Sequence, residues 1–145
     1  MKSNHVYHTA ARWLGLEEWT GKDSNNPVIV EFFKDAGHDW VKDDETPWCA
    51  AFVNSVLKDC GINGTGKLNA RSFMDWGDPA RLSTAALGDI VVFWREKRTS
   101  WKGHVAFFAG FDHNGDVLVL GGNQGNAVTV QSYPRERVLT VRKTT

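Results

Sequence analysis

A cysteine near the start of a predicted helix is the first candidate for chemistry in this sequence. Cys49 follows Thr46, Pro47 and Trp48. A threonine hydroxyl can cap free helix amides and proline suits the first helical position, so the pattern predicts a helix over residues 47–59. Helix amides and the helix dipole stabilise a thiolate, so we expect the pKa of Cys49 to fall below about 8.5. The same amides could bind an oxyanion, whereas a buried, inert cysteine is the alternative.

A thiol nucleophile needs a base, and His104 is the candidate among the five histidines. It follows Gly103 and opens an apolar stretch typical of a strand, so a rigid sheet would fix its position. A structural histidine at the start of a strand is the alternative. The others lie on a terminal helix, in an acidic loop or in a hairpin tip, where we expect exposed side chains without a role: His5, His8, His38 and His113.

An orienting residue for His104 should lie on the neighbouring strand, and Asn123 is the first candidate. Asn114-Gly115 is a strong hairpin signal, and counting back across that turn brings Asn123 near the level of His104. An asparagine oxygen can accept from the imidazole N–H and hold the useful tautomer. Gln124 is the second choice, and a turn residue between glycines is the alternative interpretation of Asn123.

The elements around these residues predict an α+β fold, with N-terminal helices packed on an antiparallel sheet. Helical spacing covers residues 4–14, Asn26-Pro27 opens a second helix that Gly37 closes, and a short helix covers residues 70–76. From Leu87 the period changes to that of strands. We expect a meander of about five strands, over residues 89–94, 104–111, 116–120, 127–132 and 137–142.

Length and composition exclude several classes of protein. The 145 residues suit a single domain over residues 1–145, and a formal net charge of zero argues against bulk electrostatic binding of nucleic acid. No segment has the apolar length of a signal peptide or a membrane span, so we expect synthesis in the cytoplasm without membrane insertion. Cys49 and Cys60 lie about 16 Å apart on one predicted helix, too far for a disulfide.

Several ordered motifs resemble the CHAP/NlpC-P60 superfamily of papain-like cysteine peptidases and amidases, and most of all its small, single-domain phage lysis branch. The motifs are Thr46-Pro47-Trp48-Cys49-Ala50-Ala51-Phe52-Val53, Gly88-Asp89-Ile90-Val91-Val92-Phe93, Gly103-His104-Val105-Ala106-Phe107 and Leu120-Gly121-Gly122-Asn123-Gln124. The resemblance implies a peptidoglycan hydrolase with Cys49 as nucleophile, His104 as base and Asn123 as the orienting residue. Many relatives carry an acidic residue two positions before that Asn, where this chain has Gly121.

The chemistry that the resemblance implies is cleavage of an amide bond of the peptidoglycan stem peptide through an acyl-enzyme. The residues leave open whether the enzyme is an N-acetylmuramoyl-L-alanine amidase or a peptidoglycan endopeptidase. Trp48, Gln124 and Trp101 are candidates for substrate binding. We expect no cofactor and no required metal. Some relatives bind calcium before the cysteine, but the acidic residues in that region form no spaced ligand set: Asp39, Asp43, Asp44 and Glu45.

A phage endolysin is the biological role that the resemblance favours, as a monomer made in the host cytoplasm that acts on the wall after release. An interbacterial amidase toxin of the same fold, paired with an immunity protein, is one alternative. A catalytically inactive wall-binding module is another, and it predicts peptidoglycan binding that survives Cys49→Ala. A metal hydrolase is disfavoured, because the sequence has no His-x-x-x-His or Cys-x-x-Cys pair.

Overall fold

The computed structural model describes residues 2–19, 25–38 and 47–144, and within these ranges it contains α-helices and one sheet. The helices are α1 (Lys2–Ala11), α2 (Pro27–Asp35) and α3 (Cys49–Asp59). The strands are β1 (Pro79–Ala80), β2 (Ile90–Trp94), β3 (Gly103–Phe111), β4 (Val117–Gly121), β5 (Thr129–Tyr133) and β6 (Val138–Arg142). Short 3-10 helices cover Ala70–Asp75, Leu82–Thr84 and Arg135–Arg137. Over the same described ranges, every helix is too short or too polar to cross a bilayer.

The predicted α+β fold is confirmed, but the order of the strands differs from a simple meander. All strand pairs are antiparallel, and the order across the sheet is β1-β6-β2-β3-β4-β5. Strands β2 to β5 form the expected meander, whereas β6 returns to pair with β2 and with the unpredicted strand β1. An alternating pattern identifies a strand without naming its partner, so the position of β6 depends on tertiary packing.

The ends of α2 follow the local sequence signals. The Oδ1 atom of Asn26 accepts a hydrogen bond from the Val28 N–H at 3.0 Å, and Pro27 is the first helical residue. Gly37, just beyond the helix, has a φ of 90°, a conformation that favours glycine. Capping and termination therefore place this helix as predicted.

The central helix α3 belongs to the core on all sides. Every residue from 49 to 57 is buried, since the helix packs against α1, α2, β3 and β4. The Phe52 ring lies edge-on to the rings of Phe32 and Phe107, with centroids 5.4 and 6.2 Å away. The start of this helix is therefore held by packing from both the helical layer and the sheet.

Both faces of the sheet are apolar. Alternate residues such as Val105 and Phe107 belong to the cluster around α3. Their neighbours Ala106 and Phe108 belong to a second cluster on the opposite face, against which Tyr133 of β5 packs. Successive side chains of a strand point to opposite faces, so the sheet connects the two clusters.

The start of α3 differs from the prediction. The helix begins at Cys49 rather than at Pro47, because Trp48 adopts non-helical angles (φ −124°, ψ 15°) and is the N-cap residue. The Trp48 carbonyl accepts the first helical hydrogen bond from the Phe52 N–H at 2.9 Å. The predicted cap, Thr46, lies outside the described residues. Cys49 is thus the first residue of the helix, where amides lack partners within the helix.

Trp48 is a core residue that holds the start of α3 in place. Its side chain is fully buried, and its indole Nε1 donates to Glu18 Oε1 at 2.7 Å. Its ring stacks on Phe32 with the centroids 6.2 Å apart. A Cβ atom added at Gly122 would come within 2.6 Å of Trp48 Cζ3. The structure therefore corrects the expectation that Trp48 binds substrate.

We expect Gly122→Ala to lower the free energy of unfolding by about 1–3 kcal/mol, because the new methyl group would overlap the Trp48 ring and Phe52 Cβ. Urea denaturation followed by tryptophan fluorescence measures this change. Val130→Ala, at a position that is 42% exposed, is the control and should cost less than about 0.5 kcal/mol. Equal midpoints for wild type and Gly122→Ala would contradict close packing at this point.

Candidate active site

An open cleft of about 290 Å³ lies at the N-terminal end of α3. Cys49 forms part of its floor. Its walls come from residues 68–70 and from the loop that joins β2 to β3, including Arg95 and Trp101. Gly103, the first residue of β3, also lines it, so helix start and strand start meet in one cavity.

The Cys49 sulfur lies against the first residues of β3. The N–H groups of Val105, Ala50 and Cys49 itself stabilise a thiolate there and act to lower the pKa, as does the positive charge of Arg95. Burial is the stronger influence and raises the pKa of Cys49 above that of an ordinary thiol. The expected fall in the pKa of Cys49 is therefore wrong, because the start of the helix is buried.

The His104 imidazole is held by a buried hydrogen bond to Gln124. Its side chain is almost inaccessible, and its Nε2 lies 2.8 Å from Gln124 Oε1. The Gln124 Nε2 donates to the Thr129 carbonyl at 2.8 Å, so Oε1 is the acceptor and His104 Nε2 carries the proton. Nδ1 is then the unprotonated nitrogen of the ring. It is buried and has no hydrogen-bond partner among the described residues.

Gln124 occupies the place predicted for Asn123. Strand β4 ends at Gly121, and Asn123 follows in a turn with a φ of 57°. The hydrogen bond that His104 makes is to Gln124, whose side chain folds back under the end of β4. Gly121 leaves the room for it, since a Cβ there would lie 2.8 Å from Gln124 Oε1. Gln124 is thus a buried partner of His104 and not the substrate-binding residue that the sequence predicted.

Tyr133 and Arg95 complete the surroundings of His104, and the sequence analysis did not identify either. The Tyr133 ring stacks on His104 with centroids 5.1 Å apart and on Phe93 at 4.9 Å. Burial raises the pKa of Tyr133, and the nearby positive charge of Arg95 opposes this shift. Strand β5 is not a neighbour of β3 in the sheet, so no local pattern marks Tyr133. Arg95 directly follows β2, which pairs with β3. A predicted pairing of these two strands is the one signal that could have placed Arg95 near His104.

The site holds both titratable groups in their neutral forms at neutral pH. Burial lowers the pKa of His104 to about 4; the hydrogen bond to Gln124 opposes this shift and the charge of Arg95 adds to it. Burial also keeps the Cys49 thiol protonated. A neutral imidazole with a free Nδ1 can accept a proton, which is the property that a general base requires.

Trp101 lies at the mouth of the cleft, as expected for a residue that contacts a ligand. Its side chain is 75% exposed, and Lys102 Nζ lies 5.7 Å from the centroid of its ring. Its exposed indole beside the cleft is compatible with substrate binding, and this role of Trp101 remains a prediction.

The other histidines lie away from the cleft. His5, His8 and His113 are exposed, as predicted. His38 is half-buried instead, and its Nε2 lies 2.6 Å from the Gly66 carbonyl oxygen.

The acidic run before Cys49 lies outside the described residues. In the part of the chain that the structure describes, no three His, Cys, Asp or Glu side chains are grouped to hold a metal ion. The two cysteines are free thiols, as the helix spacing predicts.

The chain belongs to the CHAP domain family. The family model matches residues 41–123, which is more than half of the chain and spans Cys49, His104 and Asn123. No curated protein matches the chain in sequence. The family membership confirms the resemblance to the CHAP/NlpC-P60 superfamily.

Solved structures show the same papain-like NlpC/P60 fold. The peptidoglycan hydrolase RipB of Mycobacterium tuberculosis superimposes with a TM-score of 0.60 at 16% identity, over 98% of this chain and 64% of that one. A lipoprotein-like NLP/P60 family protein of Staphylococcus aureus gives 0.59 at 14% identity, over 97% and 41%. The P60 domain of an antigen of M. avium paratuberculosis gives 0.56 at 13% identity, over 99% and 93%. This chain therefore spans less than two thirds of the first two proteins.

We expect the free energy of unfolding to fall by up to about 3 kcal/mol as the pH drops from 6.5 to 4 because of His104. The folded-state pKa lies below the ordinary value of 6.5, so the unfolded chain binds the proton first and stability is lost on acidification. Urea denaturation across this range measures the loss. Carboxyl groups also titrate there, so the test is the difference between wild type and His104→Gln, in which this contribution should be absent. Identical pH dependence in the two proteins would contradict the lowered pKa.

Proposed function

We propose that this chain is a cysteine hydrolase of peptidoglycan, with residues 1–145 acting as one catalytic domain. CHAP family membership supports the proposal, as does the shared fold with RipB, which is a peptidoglycan hydrolase. The observation that carries it is the state of His104. Its Nε2 is fixed by Gln124, and its buried Nδ1 has no partner in the described structure. The next residue of the strand, Val105, has its backbone N–H against the Cys49 sulfur.

The proposed reaction is acyl transfer to Cys49. His104 Nδ1 takes the thiol proton while the sulfur attacks the carbonyl carbon of an amide in the stem peptide. The backbone N–H of Cys49, at the free end of α3, donates to the oxyanion that forms. The C–N bond then breaks, and His104 returns its proton to the leaving amine. Water, deprotonated by His104, releases the acyl group and regenerates the thiol.

Gln124 and Tyr133 act on His104 in complementary ways in this mechanism. Gln124 Oε1 accepts from Nε2, which keeps Nδ1 as the base and stabilises the imidazolium that forms during the reaction. Tyr133 packs on the face of the ring and holds its plane. Both are positioning residues, since their effect reaches the substrate through the imidazole.

The bond that is cleaved and the biological role of the cleavage form the finer part of the proposal. We propose an amidase or an endopeptidase acting on the stem peptide. The resemblance to the phage lysis branch favours an endolysin, a monomer that is made in the cytoplasm and reaches the wall after release. An interbacterial toxin with an immunity partner uses the same chemistry, so both roles stand on the same site.

Cys49→Ala should abolish hydrolysis of purified peptidoglycan, because no other residue is proposed to form the acyl-enzyme. The measurement is digestion of diaminopimelate-type peptidoglycan by wild type and Cys49→Ala, with mass spectrometry of the products. Bare glycan with intact stem peptides would identify an amidase. Shortened or uncrosslinked peptides still attached to sugar would identify an endopeptidase.

Two results of this digestion would reject the nucleophile. One is the same set of products from both proteins, and the other is no product from either. Cys60→Ala is the matched control, since Cys60 lies at the far end of α3 with its Sγ 3.4 Å from Thr9 Oγ1, and it should keep its activity. Peptidoglycan binding that survives Cys49→Ala, without turnover by wild type, would favour a wall-binding module.

Gln124→Met should lower kcat/KM by about 10²-fold or more, because the nearly isosteric side chain removes the acceptor of the His104 Nε2 proton. Asn123→Gly is the matched control: it removes the side chain but keeps the φ of 57° available, and it should change activity by less than about threefold. Urea denaturation of each variant verifies folding, and the pH profile of kcat/KM reports the base. A larger loss in Asn123→Gly than in Gln124→Met would restore Asn123 as the orienting residue.

A further inference from the structure

We propose that Arg95 binds a carboxylate of the substrate beside the scissile amide, so that the enzyme prefers stem peptides with free carboxylates over amidated ones. This inference rests on the proposed function as a peptidoglycan hydrolase. It adds a specificity-determining residue and the chemical class of peptide that the cleft selects.

The charged residues among the described part of the cleft lining are both positive. Arg95 and Lys102 belong to the wall, and none of the described residues that line it is acidic. Lys102 is already paired, with its Nζ 2.7 Å from Glu96 Oε1. Arg95, in contrast, forms no ion pair with any carboxylate among the described residues. Within the described residues, the cleft therefore presents one guanidinium that has no carboxylate partner to a ligand.

The position of Arg95 is close to the reacting groups. Its charge acts on the Cys49 thiol and on the His104 imidazole, so a ligand bound to it lies beside the scissile bond. Its charge also acts to lower the pKa of Tyr133, so the guanidinium lies near the ring that stacks on His104. A guanidinium has several N–H donors in one plane, so it can bind a carboxylate in the bidentate geometry that arginine favours.

The loop that carries Arg95 is held in place by Arg71. The Arg71 Nε donates to the Lys102 carbonyl at 2.9 Å and its Nη1 donates to the Arg98 carbonyl at 2.9 Å. Gly103 packs directly on the Arg71 side chain, since a Cβ atom added at Gly103 would lie 3.2 Å from Arg71 Cγ. The loop between β2 and β3 is thus preorganised, which reduces the conformational entropy lost when a ligand binds.

A purely electrostatic role for Arg95 makes a different prediction. Its positive charge favours the thiolate and disfavours the imidazolium, and both effects are the same for every substrate. Removing such a charge would change the cleavage of free and amidated peptides by one common factor and shift the pH profile. Removing a carboxylate-binding residue changes the ratio between the two peptides.

The experiment compares two synthetic muramoyl stem peptides that differ only in free or amidated carboxylates. We expect wild type to prefer the free form by about 10- to 100-fold in kcat/KM, the range of a charge-assisted hydrogen bond. Arg95→Gln should remove this preference, chiefly by raising KM for the free peptide. Arg95→Lys, which keeps the charge but loses the planar fork, should retain part of it. Arg98→Gln, on the same exposed loop but outside the cleft lining, should keep the wild-type ratio.

A second measurement separates this inference from the proposed function. The dissociation constants of both peptides are measured for Cys49→Ala and for Cys49→Ala with Arg95→Gln, where no turnover is needed. A preference for the free peptide that disappears with Arg95 supports carboxylate binding even if wild type cleaves neither peptide, a result that would reject the hydrolase. Equal affinities in Cys49→Ala, or an unchanged ratio in Arg95→Gln, overturn the inference.

Discussion

The buried hydrogen bond between His104 Nε2 and Gln124 Oε1 governs the geometry of this site. An unsatisfied buried polar group costs about 1–3 kcal/mol, so the Gln124 amide must find a partner at both ends. It does so because its Nε2 donates to the Thr129 carbonyl, which leaves Oε1 to accept from the imidazole. One carboxamide therefore fixes the tautomer of His104, and Gly121 provides the space that this arrangement needs.

Burial also sets the charge state from which the proposed reaction begins. Cys49 and His104 both resist ionisation because the low-polarity surroundings disfavour either charge alone. Proton transfer between them creates a thiolate and an imidazolium together, and their mutual attraction offsets part of that penalty. Arg95 favours the thiolate and disfavours the imidazolium, so its effects on the two ions oppose each other. In the proposed recognition of a substrate carboxylate, the same charge acts directly on the ligand.

The two proposed reacting residues each lie at the end of an element and are surrounded by buried residues. Cys49 begins a helix that is buried along residues 49–57, and its neighbour Trp48 is fully buried against Phe32 and Gly122. His104 lies in β3, between β2 and β4, with Tyr133 stacked on its ring. The walls of the cleft, by contrast, come from loops, where Trp101 is exposed and substitutions can change specificity without disturbing the core.

The sequence by itself determined most of the elements and named Cys49 and His104 as the candidate nucleophile and base. Periodicity and turn signals located α2, α3 and strands β2 to β6, because these depend on neighbouring residues. Only the tertiary structure decided that β6 pairs with β2, that Gln124 rather than Asn123 meets His104, and that Trp48 is core. It alone brought Tyr133 and Arg95 to the site. The physical reason is that the turn after β4 can bury the side chain of either Asn123 or Gln124. Which one is buried depends on the polar atoms of distant strands that still need a hydrogen-bond partner.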